Sequence, residues 1–274
     1  MKRDCFSRMG RFIKNYYRHP LYILAYGYYL FQPKFTAGVN FYDKKEFTDE
    51  IKKGKSFVRL NDGEVHFMHG GIHNCYGTIN VRPLEKSLRR IAREYSKDSP
   101  YIIGLAKRYI NQTNEELKND PEKGDHSLYA WMPMKVMYKI HFPHNVKYAD
   151  AHSFYIDGFF RETVEDYLMD KHLVVVTSKE NIEAIKNTKG VPFKKMSFVS
   201  TPKFNSYSEY DTICKDIEKT LASIPQEDTP VLIVSTGPAS KPIVYEFSKR
   251  GIQSIDTGRG LEFIYSGESL EWAM

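Results

Sequence analysis

The sequence is poor in the features that mark disulfide-bonded or membrane-spanning proteins. Only three of its 274 residues are cysteine, Cys5, Cys75 and Cys214, and they lie far apart. We expect neither a disulfide framework nor a Cys-x-x-Cys metal site, and a reducing cytoplasm fits this content best. An apolar stretch from Leu21 to Phe31 is too short to cross a bilayer, and no small-residue cleavage site follows it, so we expect no cleavable signal.

Common nucleotide-binding motifs are also missing. The chain has neither the P-loop pattern GxxxxGK[ST] nor the dinucleotide pattern GxGxxG. The usual support for an ATPase or a nicotinamide dehydrogenase is therefore absent. The net charge of +6 is mildly basic, but no motif supports binding to nucleic acid.

The basic charge is concentrated near the start of the chain. Before Lys34 there are six basic residues and one acid, Asp4. An apolar, tyrosine-rich stretch lies between the last of these basic residues and Lys34. The six are Lys2, Arg3, Arg8, Arg11, Lys14 and Arg18. Residues 1–36 are predicted to form a helical extension that contacts the inner face of a membrane peripherally. The alternatives are a solvated tail and a helix packed on the domain formed by residues 37–274.

The remaining pattern predicts an α/β fold. Short apolar strands alternate with amphipathic stretches, which is typical of a Rossmann-like, mostly parallel sheet with helices on both faces. The predicted strands are Ser56 to Leu60, Tyr101 to Leu105, Val146 to Ala149, His172 to Thr177, Met196 to Val199, Val231 to Ser235 and Gln253 to Ile255. The predicted helices are Leu84 to Tyr95, Glu162 to Met169, Lys179 to Asn187, Tyr210 to Ile224 and Lys241 to Arg250. The polar region Asn111 to Asp125 is predicted to be a loop.

The strongest local signal for a site follows the first predicted strand. Asn61, Asp62, Gly63 and Glu64 come directly after it, and ligands bind at the carboxyl ends of strands in open α/β sheets. Asp62 and Glu64 are hard oxygen ligands suited to Mg²⁺ or Mn²⁺, and Gly63 lets the turn bring both acids to one ion. Arg59 adds a fixed cation for a diphosphate. We expect both acids at an exposed strand end, although a plain surface turn explains the segment equally well.

A second signal follows the strand from Val231. A Gly237-Pro238 turn leads into a helix whose first turn contains Ser240 and Lys241, and the free N–H groups of such a helix can hold a phosphate. An ordinary strand-to-helix turn has the same appearance.

Two further strand ends carry polar residues. Asp150 and His152 can orient substrate or transfer a proton, while a capping Asp beside a half-buried His is the alternative. Asp256 and Gly258 are suited to a ribose or sugar contact, with a strand-end turn as the alternative.

Taken together, these segments resemble the bacterial GT-D-fold glycosyltransferases, a family first described as a domain of unknown function. The resemblance runs from about Phe47 to about Phe263. Its hallmark is an Arg-x-Gly-Asp-Gly-Glu segment with an Asp-x-Glu motif, which here reads Arg59-Leu60-Asn61-Asp62-Gly63-Glu64. Further matches lie at Ala149-Asp150-Ala151, at Pro202 and Asn205, at Gly237-Pro238 and in the segment Ser248 to Gly258. Asn61 replaces the usual glycine, and Arg259 and Glu262-Phe263 replace a His and a Glu-Tyr pair.

The resemblance implies transfer of a hexose from a nucleotide sugar, a UDP-sugar above all, to a glycan, glycoprotein or lipid-linked glycan acceptor of the cell surface. It also implies Mn²⁺ or Mg²⁺, because a cation neutralises charge on the diphosphate leaving group. Asp62 and Glu64 would hold the metal. The donor site would comprise Arg59, Asn61, Gly63, Asn205, Gly237, Pro238, Ser240, Lys241, Asp256 and Gly258. Glu262, Asp150 and His152 are the candidates, in that order, for a base that deprotonates the acceptor.

Two other functions remain open at this point. One is a metal-dependent phosphohydrolase that uses Asp62, Glu64 and the histidines His66, His69 and His73. The other is a non-catalytic nucleotide- or glycan-binding subunit of a surface-polysaccharide assembly complex.

Overall fold

The computed structural model describes residues 20–69, 77–79, 81–121, 125–155, 166–188 and 193–261. Within them, seven strands form one sheet in the order β3-β2-β1-β7-β6-β4-β5, and every neighbouring pair is parallel. The strands are β1 (Ser56–Arg59), β2 (Tyr101–Leu105), β3 (Ala149–Asp150), β4 (His172–Ser178), β5 (Lys195–Thr201), β6 (Pro230–Val234) and β7 (Ser254–Asp256).

The helices connect these strands as expected for parallel pairing. The described α-helices are α1 (Pro20–Leu30), α2 (Lys44–Lys52), α3 (Asp62–Met68), α4 (Arg82–Arg93), α5 (Lys107–Ile110), α6 (Asn114–Lys118), α7 (Asp125–His141), α8 (Asp166–Met169), α9 (Lys179–Asn187), α10 (Tyr210–Ala222) and α11 (Ser240–Lys249). Short 3₁₀ turns occur at Ser153–Tyr155, Ser206–Glu209, Gly237–Ala239 and Gly258–Gly260.

The sheet is buried on both faces, as the predicted fold class requires. Along β4, Leu173 and Val175 belong to one hydrophobic cluster, whereas Val174 and Val176 belong to the other. The first cluster includes Phe47 of α2 and the second includes side chains of α1, α4, α7, α10 and α11. Because successive strand residues point to opposite faces, these apolar runs supply both cores at once.

The predicted strands and helices correspond to described elements except in the segment before β3, and helices α2, α3 and α5 have no counterpart in the prediction. The predicted strand Val146 to Ala149 pairs in the sheet only from Ala149, and the predicted loop Asn111 to Asp125 contains α6. Helix α7 is absent from the prediction, because apolar residues lie all round it and Pro133 interrupts its interior. Of the predicted helix Glu162 to Met169, only Asp166–Met169 lies within the described residues.

The predicted N-terminal helix corresponds to α1. Tyr22 and Tyr26 on its inner side are buried in a core cluster, and the helix packs against α7. The rest of the extension, residues 1–19, lies outside the described residues. None of the helices that the structure describes has the length and apolar content to cross a membrane.

The position of β1 defines the central crevice of the sheet. The chain leaves β1 for β2 and β3 on one side, and it later returns through β7, which pairs with the other side of β1. Helices α3 and α11 begin at the carboxyl ends of β1 and β6. A change of direction beside a central strand is where α/β proteins bind ligands.

Candidate active site

The segment after β1 is the first turn of a helix, not an open turn. Asn61 is the N-cap of α3, and Asp62, Gly63 and Glu64 occupy its first three positions. The backbone N–H of Asn61 donates to Glu64 Oε2 at 3.0 Å, which is the reach-back contact of a capping box. The helix therefore begins here because Glu64, three positions after the N-cap, satisfies the free N–H of Asn61.

This helical start separates the two acids of the Asp-x-Glu motif. Asp62 is exposed, whereas Glu64 is 6% exposed. The expectation that both acids lie at an exposed strand end is therefore wrong for Glu64. The reason is that helix positions one and three face different directions, so only one of the two side chains points to solvent.

Lys241 joins the two buried acids of the site. Its ammonium Nζ lies 3.0 Å from Glu64 Oε1 and 3.1 Å from Asp256 Oδ2, and it donates to the carbonyl of Gly237 at 3.2 Å. Lys241 is 4% exposed, so in this structure it contacts protein groups and not the surface. It connects the helix that follows β6 to the carboxyl ends of β1 and β7.

Asp256 has hydrogen-bond partners at both carboxylate oxygens. Its Oδ2 accepts from the backbone N–H of Arg59 at 3.3 Å, and its Oδ1 accepts from that of Gly258 at 3.1 Å. The residue is fully buried at the end of β7. Asp256 thus fixes the ends of two neighbouring strands and orients Lys241.

Arg59 is held in a pocket made by two other chain segments, one that contains Ala151 and Tyr155 and one that contains Thr257. Its Nε donates to the carbonyl of Ala151 at 2.6 Å, and its Nη1 donates to that of Thr257 at 3.4 Å. The guanidinium lies 4.4 Å from the ring centroid of Tyr155, a distance typical of a cation–π contact. Tyr155 also accepts a hydrogen bond from the backbone N–H of Arg259 at 3.1 Å.

This pocket requires glycine at position 258. Gly258 has a φ of 50°, and a Cβ at this position would lie 1.7 Å from Arg59 Nη1 and 2.7 Å from the Tyr155 hydroxyl. The backbone approaches the guanidinium so closely that no side chain fits between them.

The buried charges of the site form a balanced set of two acids and two bases. Burial raises the pKa of Glu64, but Lys241 and the Asn61 N–H lower it more strongly, so the pKa lies below its ordinary value. Burial likewise opposes the charge of Lys241, yet Asp256 and Glu64 hold its pKa above the ordinary value. Glu64 and Lys241 are therefore both charged at neutral pH, because each stabilises the ionised form of the other.

The donor-site residues predicted at the carboxyl end of β6 lie within the turn between β6 and α11. Ser240 is fully buried, and its Oγ accepts from the backbone N–H of Thr236 at 3.0 Å. Gly237 has a φ of 59°, and Pro238 is buried beside it. Asn205, at a left-handed φ of 51°, precedes a 3₁₀ turn that contacts the Gly237 turn. The structure thus brings these residues to the same sheet edge as Arg59 and Glu64.

Asp150 and His152 lie at the β3 side of this edge. Asp150 Oδ1 accepts from the backbone N–H of His152 at 3.0 Å, and His152 Nδ1 is 3.6 Å from the same oxygen. Both side chains are partly exposed. Glu262, the first candidate for a base, lies outside the described residues, as does His73.

The oxygen groups beside α3 suit a hard divalent cation. Asp62 offers an exposed carboxylate, and the buried Asn61 Oδ1 has no hydrogen-bond partner among the residues that the structure describes. Within those residues, no three His, Cys, Asp or Glu side chains gather around one point. This donor set fits an ion that takes most of its ligands from water and substrate phosphates, as Mg²⁺ usually does.

Two site residues were missed by the sequence analysis. Tyr155 follows His152 by three positions in the same strand-end segment, and Thr257 stands between two residues that were predicted. Thr257 is fully buried, and its Oγ1 has no hydrogen-bond partner in the described part of the chain. An aromatic or hydroxyl residue at a strand end could have drawn attention to either position, but only the strand order shows that both adjoin Arg59.

Comparison with known proteins identifies relatives of this architecture. The family described as "Glycosyltransferase GT-D fold" matches residues 57–263. Two solved structures of a domain of unknown function 1792 superpose on this chain with a TM-score of 0.67 at 20% identity. The match covers 86% of this chain and 89% of theirs, and one of the two is described as having a distinct glycosyltransferase fold.

A third structure, described as a new glycosyltransferase of the same domain from Streptococcus sanguinis, gives a TM-score of 0.65 at 17% identity, over 85% and 87% of the two chains. At such identities the likeness establishes the fold. Comparison with curated protein sequences gives no significant match.

Proposed function

Because the chain belongs to the glycosyltransferase GT-D fold family, we propose that it transfers a hexose from a UDP-sugar to a glycan, glycoprotein or lipid-linked glycan acceptor. The observation that carries this proposal is the buried Glu64–Lys241–Asp256 cluster, whose Glu64 shares the first turn of α3 with the exposed Asp62. The cluster lies at the carboxyl ends of central strands, where an α/β protein binds a nucleotide.

The proposal includes Mn²⁺ or Mg²⁺, held by Asp62 with Asn61 Oδ1 beside it. A carboxylate and a diphosphate repel each other, and a cation between them would turn this repulsion into binding. When bound, such a cation would stabilise the charge that develops on the diphosphate as the glycosidic bond breaks. Both carboxylate oxygens of Glu64 already have protein partners, because Oε1 pairs with Lys241 and Oε2 accepts a hydrogen bond from the backbone N–H of Asn61. The contribution of Glu64 is therefore to fix the first turn of α3, and with it Asp62.

The other residues of the site have supporting roles in this mechanism. Arg59 is fixed by Ala151, Tyr155 and Thr257, and its positive charge adds to that of Lys241 beneath the donor site. Preorganised charge of this kind lowers a barrier without reorganisation during the reaction. Asp150 and His152 are partly exposed at the neighbouring strand end, so either could take the acceptor proton, as could Glu262.

The phosphohydrolase alternative is less well supported. Metal-dependent hydrolases hold their ions with several protein ligands, often in pairs of ions. In the described part of the chain no such group of acids and histidines occurs, and His69 is buried with its ring 4.6 Å from that of Tyr22.

The test is a donor panel read in two ways. UDP release from a set of UDP-sugars, with Mn²⁺, with Mg²⁺ and with EDTA, measures turnover with water or an added acceptor. Calorimetry with UDP alone measures binding without chemistry. We expect metal-dependent UDP binding and release from one donor in preference to the rest. Release of phosphate from phosphoesters, with no UDP release from any donor, would contradict the proposal; metal-independent UDP binding without turnover would favour the non-catalytic subunit.

A further inference from the structure

Helix α1 carries an apolar stripe on its outer side. Leu21, Leu24 and Tyr28 recur at spacings of three and four residues, and Phe31 follows three residues later, in the turn after the helix. Their exposed fractions are 74%, 69%, 68% and 73%. Residues at this spacing share one face of a helix. These four side chains, the outer stripe, thus form one continuous apolar surface.

No polar face accompanies the outer stripe. The opposite side of α1 is packed on the protein, with Tyr22 and Tyr26 buried, and the helix sequence PLYILAYGYYL contains no charged residue. A surface helix of a globular protein normally turns charged residues to water. An apolar face without them marks a surface that binds something apolar.

The helix beside the start of the outer stripe is basic. The neighbouring helix α4 carries five basic residues and one acid, Glu85. Its Arg89 lies over the ring of Tyr22, at 6.0 Å from the centroid. The exposed basic residues of α4 are Arg82, Lys86, Arg90 and Arg93. The sequence that precedes α1 adds six basic residues before position 19 against one acid.

We propose that the outer stripe docks on an anionic lipid membrane, with α1 lying in the plane of the headgroups. Apolar side chains would enter the boundary between headgroups and acyl chains, while the basic residues of α4 and of the sequence before α1 would attract the anionic headgroups. This inference goes beyond the proposed glycosyltransferase activity and does not depend on it, because it concerns a surface outside the site.

The location of α1 is compatible with a site that works close to the membrane. Tyr22 at its start contacts His69, which caps the C-terminal end of α3. Helix α3 has seven residues and is about 10 Å long, and its other end is the Asp62 turn. The docked surface would therefore lie within roughly two helix diameters of the site, within reach of a lipid-linked acceptor.

A second copy of the chain is a less suitable occupant. Self-association through the outer stripe would bring the basic residues of two copies together, and their repulsion would oppose an interface. Anionic lipid instead uses the apolar stripe and the basic residues at the same time.

Sedimentation of the full chain with lipid vesicles tests the proposal. Vesicles of phosphatidylcholine with about 30% phosphatidylglycerol would be compared with phosphatidylcholine alone, at low and high salt. The test variant is the double substitution Leu24→Ser with Phe31→Ser. The matched control is Phe204→Ser, which changes a side chain that is 61% exposed but lies in the loop after β5. Thermal unfolding of each variant checks that the fold is kept.

We expect the wild type to bind anionic vesicles, and to bind them less strongly at high salt. The double variant should bind at least tenfold more weakly, since each buried apolar side chain contributes a large part of the free energy of partitioning into the membrane. Phe204→Ser should bind within about twofold of the wild type, because an isolated exposed aromatic adds little. Equal binding to neutral and anionic vesicles, or equal binding by the double variant, would overturn the proposal. So would a concentration-dependent dimer in light scattering that the double variant abolishes, since the occupant would then be a second copy.

Discussion

Lys241 Nζ lies 3.0 Å from Glu64 Oε1, and both side chains are almost completely shielded from water. Substitution Lys241→Met would leave Glu64 and Asp256 as buried carboxylates without their shared cation. We expect a loss of about 3 to 5 kcal/mol in the free energy of unfolding, the usual cost of breaking a buried ion pair from one side. Denaturant unfolding at neutral pH measures it.

A matched control for this variant lies on the same helix. Lys249 pairs with Glu94 at 3.5 Å, but both side chains are more than 40% exposed. Lys249→Met should therefore cost less than about 1 kcal/mol. Similar losses in the two variants would mean that the buried cluster contributes no more than a surface pair.

The two acids of the Asp-x-Glu motif should respond differently to substitution. Asp62→Asn changes an exposed side chain, so the free energy of unfolding should change by about 0.5 kcal/mol or less. Glu64→Gln removes the charge that pairs with Lys241 and should destabilise the protein by several times that amount. Thermal unfolding without metal compares the two variants directly.

Activity separates the roles of these acids further. If Asp62 holds the cation, Asp62→Asn should lower the rate of UDP release by at least about a hundredfold, and UDP binding should lose its dependence on Mn²⁺. An Asp62→Asn protein with normal turnover would show that the cation is held elsewhere. Equal destabilisation by both substitutions would contradict the burial difference on which this assignment rests.

Much of the fold, but less of the site, could be predicted from the sequence. The strands β4 and β6 are apolar, β-branched runs of the length of a buried strand, so their burial on both faces followed from composition, but the middle strand of the sheet is β7. Helix α7 could not be predicted in the same way, because its apolar residues are not confined to one face and Pro133 argues against a helix.

The site residues were predicted one strand end at a time, and their contacts depend on strand order. That Lys241 meets Glu64 and Asp256 requires β7 to lie between β1 and β6, which no local pattern specifies. The burial of Glu64 was nevertheless within reach, because Asn61 and Glu64 have the spacing of a capping box and so predict a helix start. Taking the segment as an open turn led to the error.

Gly258→Ala should disrupt the Arg59 pocket. The new Cβ would overlap Arg59 Nη1, and the positive φ adds backbone strain, so we expect loss of UDP binding together with a stability loss of more than about 2 kcal/mol. Gly251→Ala is the control, because Gly251 has a similar positive φ of 79° but nothing lies within 4 Å of its Cβ position. That variant should lose only about 1 to 2 kcal/mol and bind UDP normally. If both behave alike, the close approach to Arg59 has no functional consequence.

Lys135 in α7 should make stability depend on pH in the alkaline range. Its ammonium is buried and donates to the carbonyls of Phe35 and Gln112 and to Asn114 Oδ1. Burial lowers its pKa to about 8, below the 10.5 of an ordinary lysine. Between these values the unfolded chain binds more protons than the folded one, so this residue's contribution to stability rises with pH.

Comparison with Lys135→Met isolates that contribution, because the titration of every other group is common to both proteins. From pH 8 to 9.5 the wild type should gain about 1 kcal/mol relative to the variant, after allowance for solvent screening. The variant should be less stable throughout, since three acceptors lose their donor. The slope is the test: parallel curves of unfolding free energy against pH would show that Lys135 does not titrate in this range.

In the Arg-x-Gly-Asp-Gly-Glu pattern that the segment after β1 resembles, Asn61 stands in the place of a glycine, and its Oδ1 has no hydrogen-bond partner among the described residues. Asn61→Gly restores the usual residue at an N-cap, where glycine costs only a few tenths of a kcal/mol relative to asparagine. Stability should thus change little, whereas affinity for UDP with Mn²⁺ should fall about tenfold, if Oδ1 contacts the cation or a donor hydroxyl. Asn61→Asp keeps an oxygen and adds charge, so it should retain binding with Mn²⁺ and weaken it with EDTA. Calorimetry on the three proteins distinguishes a role of Asn61 in ligand binding from a purely structural one. Unchanged affinity for UDP in Asn61→Gly would mean that Asn61 acts only as a helix cap.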